Sequence, residues 1–577
     1  MKNLKQIKPL IKLMSKKDKK DLFIASIILF LSGIAEIFTG FLNGLAVEKI
    51  TKGKIKEALI ALLIYFFIDI TFDGIFKTIA SSKLRKVESS LTRKLSFNTY
   101  KKALNLPTVA YEEKSSGEII NRITNDADTL SFSFEKLLKM ISSLIATLII
   151  IVYIFINSYI IGIEIIVFVS LLFFVIKKYN PKLKKVHNER KQSQDKFTSL
   201  TIESIRGIRE IKTLGIKNNL IKEISMIIKD LFNKSKNEID IQKEFDIITK
   251  FIKSFLEVGV FISCIFLLYY NKITLTFFIA MTYYVYRYTW LIDDINDLTK
   301  VYQKTVVSLK RVNDILTNNL YQDEKFGVKT LKNTKGVIKF NNVSFAYPNE
   351  SKTLNKFNLV INPNKKIAIV GKSGQGKSTI FNLLTRLFDV NEGNITLDDV
   401  DIKTLSEKSL KDNISIIRQE PFIFNRTIKD NFKIVNKNIT LKEIRKYCKE
   451  AYIDDYIMSL PKKYNTILGE GGVNLSGGQK QRLSIARTLS KKSKVILFDE
   501  ATSALDNESQ EYIKKAIDNL VKDHTVVIVA HRLSTIMDAD IIYVVDKGMI
   551  VASNTHKELL KTNKFYKNLY EIESLNS

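Results

Sequence analysis

The chain has 577 residues, of which 45% are hydrophobic and 26% charged, so it is too long for one ordinary domain. Its mean hydropathy is near zero despite this charge, which predicts that apolar residues are concentrated in one part and argues against an ordinary soluble protein. The net charge of +30 fits nucleic acid, anionic lipid or positive cytoplasmic loops. The two cysteines, Cys264 and Cys448, exclude a disulfide framework, and we expect no cleavable signal peptide.

The N-terminal 20 residues are basic, and six apolar segments follow them. Apolar side chains at helical spacing predict an amphipathic helix over residues 1–20, lying on the cytoplasmic face of a membrane; a disordered basic tail is the alternative. Each later segment has about the 20 residues that a membrane span requires. The six segments cover residues 22–46, 56–80, 136–157, 159–178, 250–270 and 274–296.

The connections between these segments alternate in length and charge. The long loops, residues 81–138 and 177–247, contain 27 lysines and arginines, against only a handful in the three short ones. Because positively charged loops remain in the cytoplasm, we expect both long loops and the N-terminus there. Apolar residues at helical spacing predict that the long loops are helices continuing out of the membrane. Residues 21–300 are thus predicted to form an all-α six-helix transmembrane domain.

The composition changes in the C-terminal half. Residues 301–336 are predicted to be a connector, and after them short β-branched runs alternate with helical patterns. This alternation predicts an α/β nucleotide-binding domain with a mainly parallel sheet over residues 337–577. The clearest strand-like runs are residues 336–340, 366–370 and 525–529.

Residues 371–379 contain the pattern Gly-x4-Gly-Lys-Ser between a predicted strand and a helix predicted to begin at Ser378. This is a P-loop in the context that it requires, because glycines let backbone N–H groups surround phosphates at a helix N-terminus. Lys377 is predicted to reach the β- and γ-phosphates of ATP, and Ser378 to bind Mg²⁺. The predicted ATP contacts in this loop are Gly371, Ser373, Gly374, Gly376, Lys377, Ser378 and Thr379.

Two acids close the apolar run 495–498. Asp499 is predicted to bind Mg²⁺, directly or through water, and Glu500 to polarise the attacking water. Without the P-loop, a solvated loop after a strand would explain these acids better. His531 ends a further apolar run and is predicted to donate a hydrogen bond to the γ-phosphate, although a lone histidine is usually structural.

A second glycine-rich turn precedes a helix predicted to begin near Gln479. Ser476, Gly477, Gly478 and Gln479 could offer N–H groups to a phosphate. Since the chain has only one P-loop, we expect this turn to contact the ATP of a second copy, so that two subunits enclose two nucleotides.

Residues 475–479 resemble the signature sequence of the ABC transporter superfamily, and the resemblance covers nearly the whole chain. It implies that Tyr347 stacks on adenine, that Gln419 in the Q-loop contacts Mg²⁺ and the water, that Asp506 belongs to the D-loop, and that His531 is the switch histidine. The order of the parts is similar to that of an exporter-type half-transporter. Residues 116–126, 203–212 and 466–472 resemble loops of exporters.

The resemblance implies ATP-driven export or flipping by alternating access, with ATP and Mg²⁺ bound, in the cytoplasmic membrane of a bacterium. Because Glu500 and the signature are both intact, a homodimer with two working sites is the simpler interpretation, and a heterodimer is the alternative. The substrate would be an amphipathic molecule, peptide, drug or lipid, with no nucleic acid as partner, since a soluble ATPase acting on DNA would lack the spans. An ATP-gated channel or regulator remains open.

The predicted spans contain four acids, Glu36, Asp69, Asp73 and Glu257. Ionisable groups inside a membrane are costly and usually face a cavity or a partner. Asp69 and Asp73 are four residues apart and therefore share a helix face. One hypothesis is that these acids attract a cationic substrate. The alternative is that they pair with Lys250, Lys253 or Arg287, or snorkel at helix ends.

Overall fold

A computed structural model of the chain describes residues 13–113, 116–317, 324–348, 350–469, 472–499, 507–529 and 536–576. Its contacts divide the chain into two compact units. The first unit comprises Met1–Leu104 and Lys114–Leu320, and the second comprises Asn105–Glu113 and Tyr321–Ser577. The first unit is helical, whereas the second contains two β-sheets with helices around them.

Long helices form the first unit. Two π-helical turns, Asp69–Phe76 and Arg122–Asp126, continue one helix into the next. In chain order the α-helices up to residue 316, of which α4 belongs to the second unit, are α1 (Lys16–Thr51), α2 (Ile55–Ile68), α3 (Lys77–Ala103), α4 (Val109–Glu113), α5 (Ser116–Asn121), α6 (Ala127–Asn157), α7 (Tyr159–Arg206), α8 (Ile208–Leu214), α9 (Lys217–Tyr269) and α10 (Leu275–Leu316).

Five helices within the described residues are long and apolar enough to cross a membrane. They are Lys16–Thr51, Ile55–Ala103, Gly117–Asn157, Tyr159–Arg206 and Lys217–Tyr269. In the sixth predicted segment, 274–296, the apolar helical stretch that is described is shorter, Leu275–Val285. The predicted all-α transmembrane domain is therefore confirmed, with five spans rather than six meeting this criterion in the described part of the chain.

Local hydrogen bonds, rather than hydropathy, set the start of the first long helix. Ser15 caps α1 by accepting a bond from the Asp18 N–H (3.1 Å), while the Asp18 carboxylate accepts one from the Ser15 N–H (2.9 Å). The first long helix thus begins at Lys16, inside the predicted helix 1–20, of which residues 1–12 lie outside the described residues. The last helix of the unit, α10, extends to Leu316. The first half of the predicted connector is therefore helical.

The helices α7 and α9 contain 48 and 53 residues. At 1.5 Å per residue these are about 70–80 Å long, more than twice the hydrocarbon core of a bilayer. Apolar side chains point in two directions in this unit. Leu256 and Cys264 are fully buried among the helices, whereas Leu63 and Phe67 are more than two-thirds exposed. Such double-sided apolarity is what a helix bundle surrounded by lipid requires.

The second unit is built on two sheets. Among the described residues, its ten strands are β1 (Ile338–Ala346), β2 (Lys352–Ile361), β3 (Lys366–Val370), β4 (Glu392–Leu397), β5 (Val400–Asp401), β6 (Ile414–Ile417), β7 (Val495–Asp499), β8 (Thr525–Val529), β9 (Ile541–Asp546) and β10 (Met549–Asn554). Six of them form a sheet in the order β10-β9-β3-β8-β7-β6, parallel except at β10. The other four form an antiparallel sheet in the order β2-β1-β4-β5. The predicted mainly parallel sheet is confirmed, and the antiparallel sheet is an addition.

Helices cover the six-stranded sheet. These are α11 (Lys377–Leu384), α12 (Glu407–Asn413), α13 (Ile428–Lys433), α14 (Leu441–Glu450), α15 (Asp454–Ser459), α16 (Gly477–Leu489), α17 (Asn507–Leu520), α18 (His556–Thr562) and α19 (Lys564–Asn576). Alternate residues of β3 enter different cores: Ile367 and Ile369 face the antiparallel sheet, and Ala368 and Val370 face the helices around α16. A strand covered on both faces needs a continuous apolar run, and all five residues of β3 are buried.

Candidate nucleotide site

Several predicted site residues lie at or just beyond the carboxyl edge of the six-stranded sheet. Strand β3 leads into the loop 371–376, β7 ends at Asp499, and Gln419 lies two residues beyond β6. The register pairs Ile369 with Val529, and Val529 with Asp499. Because neighbouring parallel strands end at the same edge, chain segments far apart in sequence meet there.

The loop after β3 closes around backbone groups. A Cβ on Gly371 would lie 2.3 Å from the carbonyl oxygen of Val545, so only glycine fits between the two strands. Gly376 has φ of +86° and is the N-cap residue of α11, which begins at Lys377, one residue earlier than predicted. The backbone N–H groups at this helix end have no intrahelical partner and can bind phosphate oxygens.

Lys377 is almost completely buried although it is charged, with 5% of its surface exposed. Its ammonium group donates hydrogen bonds to the carbonyl oxygens of Gly371 (2.7 Å) and Lys372 (2.9 Å). The positive charge is thus held at the loop's centre, where the phosphates of a nucleotide would lie. A buried lysine without such acceptors would be strongly destabilising.

A serine and an aspartate meet beside this loop. The Ser378 hydroxyl donates a hydrogen bond of 3.1 Å to Oδ1 of Asp499, although 121 residues separate them in sequence. Hydroxyl and carboxylate oxygens are the ligands that Mg²⁺ prefers, and Mg²⁺ in such sites keeps several waters and binds substrate phosphates. The two side chains therefore fit the magnesium role predicted for them.

Tyr347 is held beside the loop by its hydroxyl group. The hydroxyl is 3.1 Å from Oγ1 of Thr379 and accepts a bond from the Asn382 side chain at 3.2 Å. Its ring meets Phe345 and Phe388 edge to face, with centroids 4.9 and 5.1 Å away. These contacts fix the ring's position next to the P-loop, as a base-stacking residue requires.

Most of these residues line one cavity of about 520 Å³, a size typical of small-molecule sites, but Gly371 and Asp499 are not among its described lining residues. The predicted residues that line it are Tyr347, Ser373, Gly374, Gly376, Lys377, Ser378 and Thr379. Sequence reasoning missed Lys547 and Gly548, which also line it. Both have positive φ values of 47° and 72° in the turn between β9 and β10, and the Lys547 N–H donates to the Gln375 side chain. A Lys-Gly pair between apolar runs signals the hairpin turn, but not its place beside the P-loop.

The second glycine-rich turn does not line this cavity in the described part of the chain. Ser476 is the N-cap of α16, which begins at Gly477, two residues before the predicted start. Its hydroxyl accepts from the Gln479 N–H (3.3 Å), and the Gln479 side chain accepts from the Ser476 N–H (2.9 Å). Gly477 follows this capping box and is exposed at the helix N-terminus, whereas Gly478 is buried.

Gln419 is exposed, and its segment is attached to α16. The Gln481 side chain donates to the carbonyl oxygen of Arg418 (3.2 Å), and Arg487 donates to that of Phe422 (3.0 Å). The loop that carries Gln419 is therefore bound on both sides to the signature helix. The structure thus links these two predicted elements to each other. Three predicted site residues, Glu500, Asp506 and His531, lie outside the described residues.

Two family models match the chain. One, described as ABC transporter transmembrane region, matches residues 22–289, and the other, described as ABC transporter, matches residues 354–503. An ATP-dependent lipid A-core flippase of Photorhabdus laumondii is 32% identical over 499 residues, which cover 85% of this chain and 84% of the relative. The chain belongs to the ABC transporter family.

Further similarities place the transporter among the exporter-type half-transporters, in which ATP hydrolysis is coupled to transport. A putative multidrug export ATP-binding/permease protein of Bacillus subtilis is 32% identical over 469 residues, covering 81% of both chains. The solved structure of a bacterial Atm1-family ABC exporter with ATP bound has a TM-score of 0.80. The match covers 96% of this chain and 98% of the exporter chain. Because the two sequences are only 24% identical, this similarity shows the fold alone.

Proposed function

We propose that the transporter is a homodimer that exports or flips an amphipathic substrate across the bacterial cytoplasmic membrane. The observation that carries this proposal is the cavity lined by the buried Lys377 and by Ser378, whose hydroxyl donates a hydrogen bond to Asp499. These groups supply what a triphosphate with Mg²⁺ requires: backbone donors, one fixed cation and oxygen ligands. The relatives named as a lipid A-core flippase and a multidrug export protein support an amphipathic substrate.

We infer the dimer from two candidate phosphate-binding helix N-termini in the chain, which we expect to bind two different nucleotides. Gly376 is the N-cap of the helix at the nucleotide cavity, while Ser476 caps a helix that does not line the cavity in the described residues. An anion gains from each helix N-terminus that points at it. A second copy, turned by a two-fold axis, would place its Ser476 on the open side of the first copy's ATP. Because the dimer would have two such sites, bound ATP would hold the two ATPase domains together.

In this proposal Lys377 and the N–H groups of residues 374–378 hold the β- and γ-phosphates. Ser378, Asp499 and Gln419 would hold Mg²⁺, which, when bound, neutralises developing phosphate charge. Glu500 accepts a hydrogen bond from the attacking water and orients it, and His531 donates to the γ-phosphate. Asp506, in the D-loop, would contribute to nucleotide binding.

The remaining assignments are part of the same proposal. We infer an amphipathic helix at residues 1–20, a membrane domain at 21–300, a connector at 301–336 and the ATPase domain at 337–577. ATP-driven closure of the two ATPase domains turns the membrane domain from inward-facing to outward-facing, and hydrolysis resets it. The matches of the two family models to residues 22–289 and 354–503 support this division.

The decisive variant is Glu500→Gln in the full-length protein reconstituted in lipid nanodiscs. It should bind ATP with wild-type affinity and hydrolyse it about 10²–10³ times more slowly, because only the orientation of water is lost. Glu508→Gln is the matched control, since Glu508 is an exposed acid at the start of α17. It should hydrolyse ATP at the wild-type rate.

The same variant tests the dimer and the direction of work. ATP should trap the Glu500→Gln dimer, detected by cross-linking cysteines placed at residues 476 and 374 of the two copies. Wild-type protein in inside-out vesicles should accumulate substrate only with hydrolysable ATP. Trapping that requires a different half-transporter would replace the homodimer by a heterodimer, and an ATP-gated passive current without accumulation would replace the exporter by a channel.

A further inference from the structure

The turn between β9 and β10 lies against the P-loop because of the sheet topology. Strand β9 is parallel to β3 and pairs with it, so that Val544 lies opposite Val370. Neighbouring parallel strands end at the same edge of a sheet, and the turn after β9 therefore meets the loop after β3. The turn also packs closely on β2, since an added Cβ on Gly548 would lie 2.4 Å from the carbonyl oxygen of Thr353.

One side chain of the P-loop is bonded to this turn. The side-chain carbonyl oxygen of Gln375 accepts a hydrogen bond from the backbone N–H of Lys547. Gln375 lies between Gly374 and Gly376, in the part of the loop whose N–H groups are expected to hold phosphates. Both Gln375 and Lys547 line the nucleotide cavity. The bond therefore fixes the point from which the Lys547 side chain extends.

The geometry of the turn does not explain a lysine at position 547. Asp546 pairs with Met549, so Lys547 and Gly548 form a two-residue hairpin loop, and both have positive φ. Such turns favour Asn-Gly or Asp-Gly, because a longer side chain is strained in the left-handed region. Strained residues of this kind often occur at ligand sites. The long cationic side chain of Lys547 is therefore better explained by the cavity that it lines than by the turn.

Four charged residues are among the described residues that line this cavity: Glu350, Lys352, Lys377 and Lys547. A triphosphate carries more negative charge than Lys377 alone neutralises. Lys352 is mostly exposed and lies 3.9 Å from a carboxylate oxygen of Glu392. Lys547 is also exposed, but its backbone is bonded directly to the P-loop. Of the two further lysines, Lys547 is thus the one that the structure holds beside the expected phosphate position.

We propose that Lys547 is a second phosphate-binding cation of the nucleotide site, and that Gln375 is the positioning residue that keeps it there. The inference rests on the proposed function, in which this cavity binds ATP, and adds two residues to the site. The flexible four-carbon stem of lysine lets the ammonium group reach phosphates bound to the loop. Hydrogen bonds between an ammonium group and phosphate oxygens are among the strong ones in proteins.

The first test removes the charge of Lys547 in the full-length protein in nanodiscs, with MgATP at low ionic strength. Lys547→Gln should raise the Kd and the KM for ATP by about tenfold, which is about 1.4 kcal/mol and near the lower end for hydrogen bonds to charged groups. The value of kcat should stay within about twofold, because the contact exists both before and during the reaction. Lys547→Arg keeps the charge and should retain the wild-type affinity.

Lys561→Gln is the matched control. It removes an exposed lysine of α18 that is not among the described residues lining the cavity. Its affinity for ATP should equal that of the wild type. A general effect of net charge on the binding of an anion would instead weaken binding in both glutamine variants.

The second test asks whether Gln375 acts through Lys547. Gln375→Met has a side chain of similar length without the acceptor, and should weaken ATP binding by about threefold through loss of one hydrogen bond. In the Lys547→Gln background the same change should have no further effect. A role of Gln375 in the stability of the P-loop alone would weaken binding equally in both backgrounds, because independent effects add.

Three results would overturn the inference: a Kd within about twofold of the wild type in Lys547→Gln, a loss of affinity that Lys547→Arg shares, or equal effects of Gln375→Met in the two backgrounds. The apparent Tm of each variant, measured in parallel, shows whether it is folded. None of these results would affect ATP hydrolysis or transport by the wild-type protein, so the proposed function would survive them. A wild-type protein that does not bind ATP would instead contradict the proposed function itself.

Discussion

Gly371→Ala is the substitution whose effect follows most directly from the backbone. Gly371 comes directly after Val370, which pairs with Val544 of β9 in the parallel sheet. An added Cβ would lie 2.3 Å from the carbonyl oxygen of Val545, where real Cβ contacts do not fall below 3.0 Å. The obstacle is backbone in a paired strand and cannot rotate away, so the loop itself must move by at least 0.7 Å.

This displacement sets the expected magnitudes. Forcing one methyl group into a filled space costs about 1–3 kcal/mol of stability. The larger effect is on catalysis, because the loop carries Lys377 and Ser378, and a misplacement of about 1 Å can cost about 10²-fold in rate. We therefore expect kcat/KM for ATP to fall by about 10²-fold.

The assay is steady-state ATP hydrolysis in nanodiscs, with binding of a fluorescent ATP analogue and the apparent Tm measured in parallel. Gly374→Ala is the matched comparison in the same loop: no atom lies within 4 Å of its added Cβ, but its φ is +80°. It carries backbone strain of about 1–2 kcal/mol without a clash and should lose less activity. If Gly371→Ala keeps kcat/KM within threefold of wild type, or loses less than Gly374→Ala, the close approach to Val545 is not what places the loop.

Two further predictions concern the second unit. Asp454→Asn removes a buried carboxylate that accepts bonds from Arg445 (3.1 Å) and the Tyr464 hydroxyl (2.5 Å). Although burial alone raises the pKa of this carboxyl, those partners hold its pKa below the ordinary value, so its stabilisation is present above about pH 3.9 and is lost at lower pH. The difference in apparent Tm between wild type and variant should be large at pH 7, worth about 1–3 kcal/mol, and shrink below pH 4; a difference independent of pH would contradict this. Ser476→Ala should lower stability by about 1 kcal/mol through loss of the N-cap and should also lower ATP turnover at least tenfold. Thr440→Ala, which removes the same type of capping box from α14, should cause a similar loss of stability without the loss of turnover. Equal turnover in the two variants would show that Ser476 does not contribute to the nucleotide site.

The bounds of an element could be predicted best where a single physical requirement determines its sequence. Strands β3 and β8 occupy residues 366–370 and 525–529, as predicted, because a strand buried on both faces needs an unbroken apolar run. Strand β2, Lys352–Ile361, escaped prediction since half of it faces solvent and its alternate positions are Asn and Lys. The helices after the P-loop and after Ser476 begin one and two residues before their predicted starts, at Lys377 and Gly477.

The candidate site divides in the same way. Lys377, Ser378 and Asp499 were predictable because phosphate and Mg²⁺ chemistry restricts residue type and spacing. Lys547 was not, because its place beside the loop depends on which strand pairs with β3. The π-helical turn at Asp69 and its neighbouring Lys77 could not be predicted either, since they depend on the packing of α1 against α2 and α3.

One short segment of the chain between two parts of the first unit belongs to the second unit. By its contacts, Asn105–Glu113 belongs to the second unit, although the residues before and after it in the chain belong to the first. Leu106 and Ala110 are buried, and the Asn105 carbonyl oxygen accepts a bond from the Glu324 N–H (3.3 Å). The segment directly follows α3, whose preceding π-helical turn contains Asp69 and Asp73. The segment is therefore joined through the chain to α3, which follows the π-helical turn without a loop.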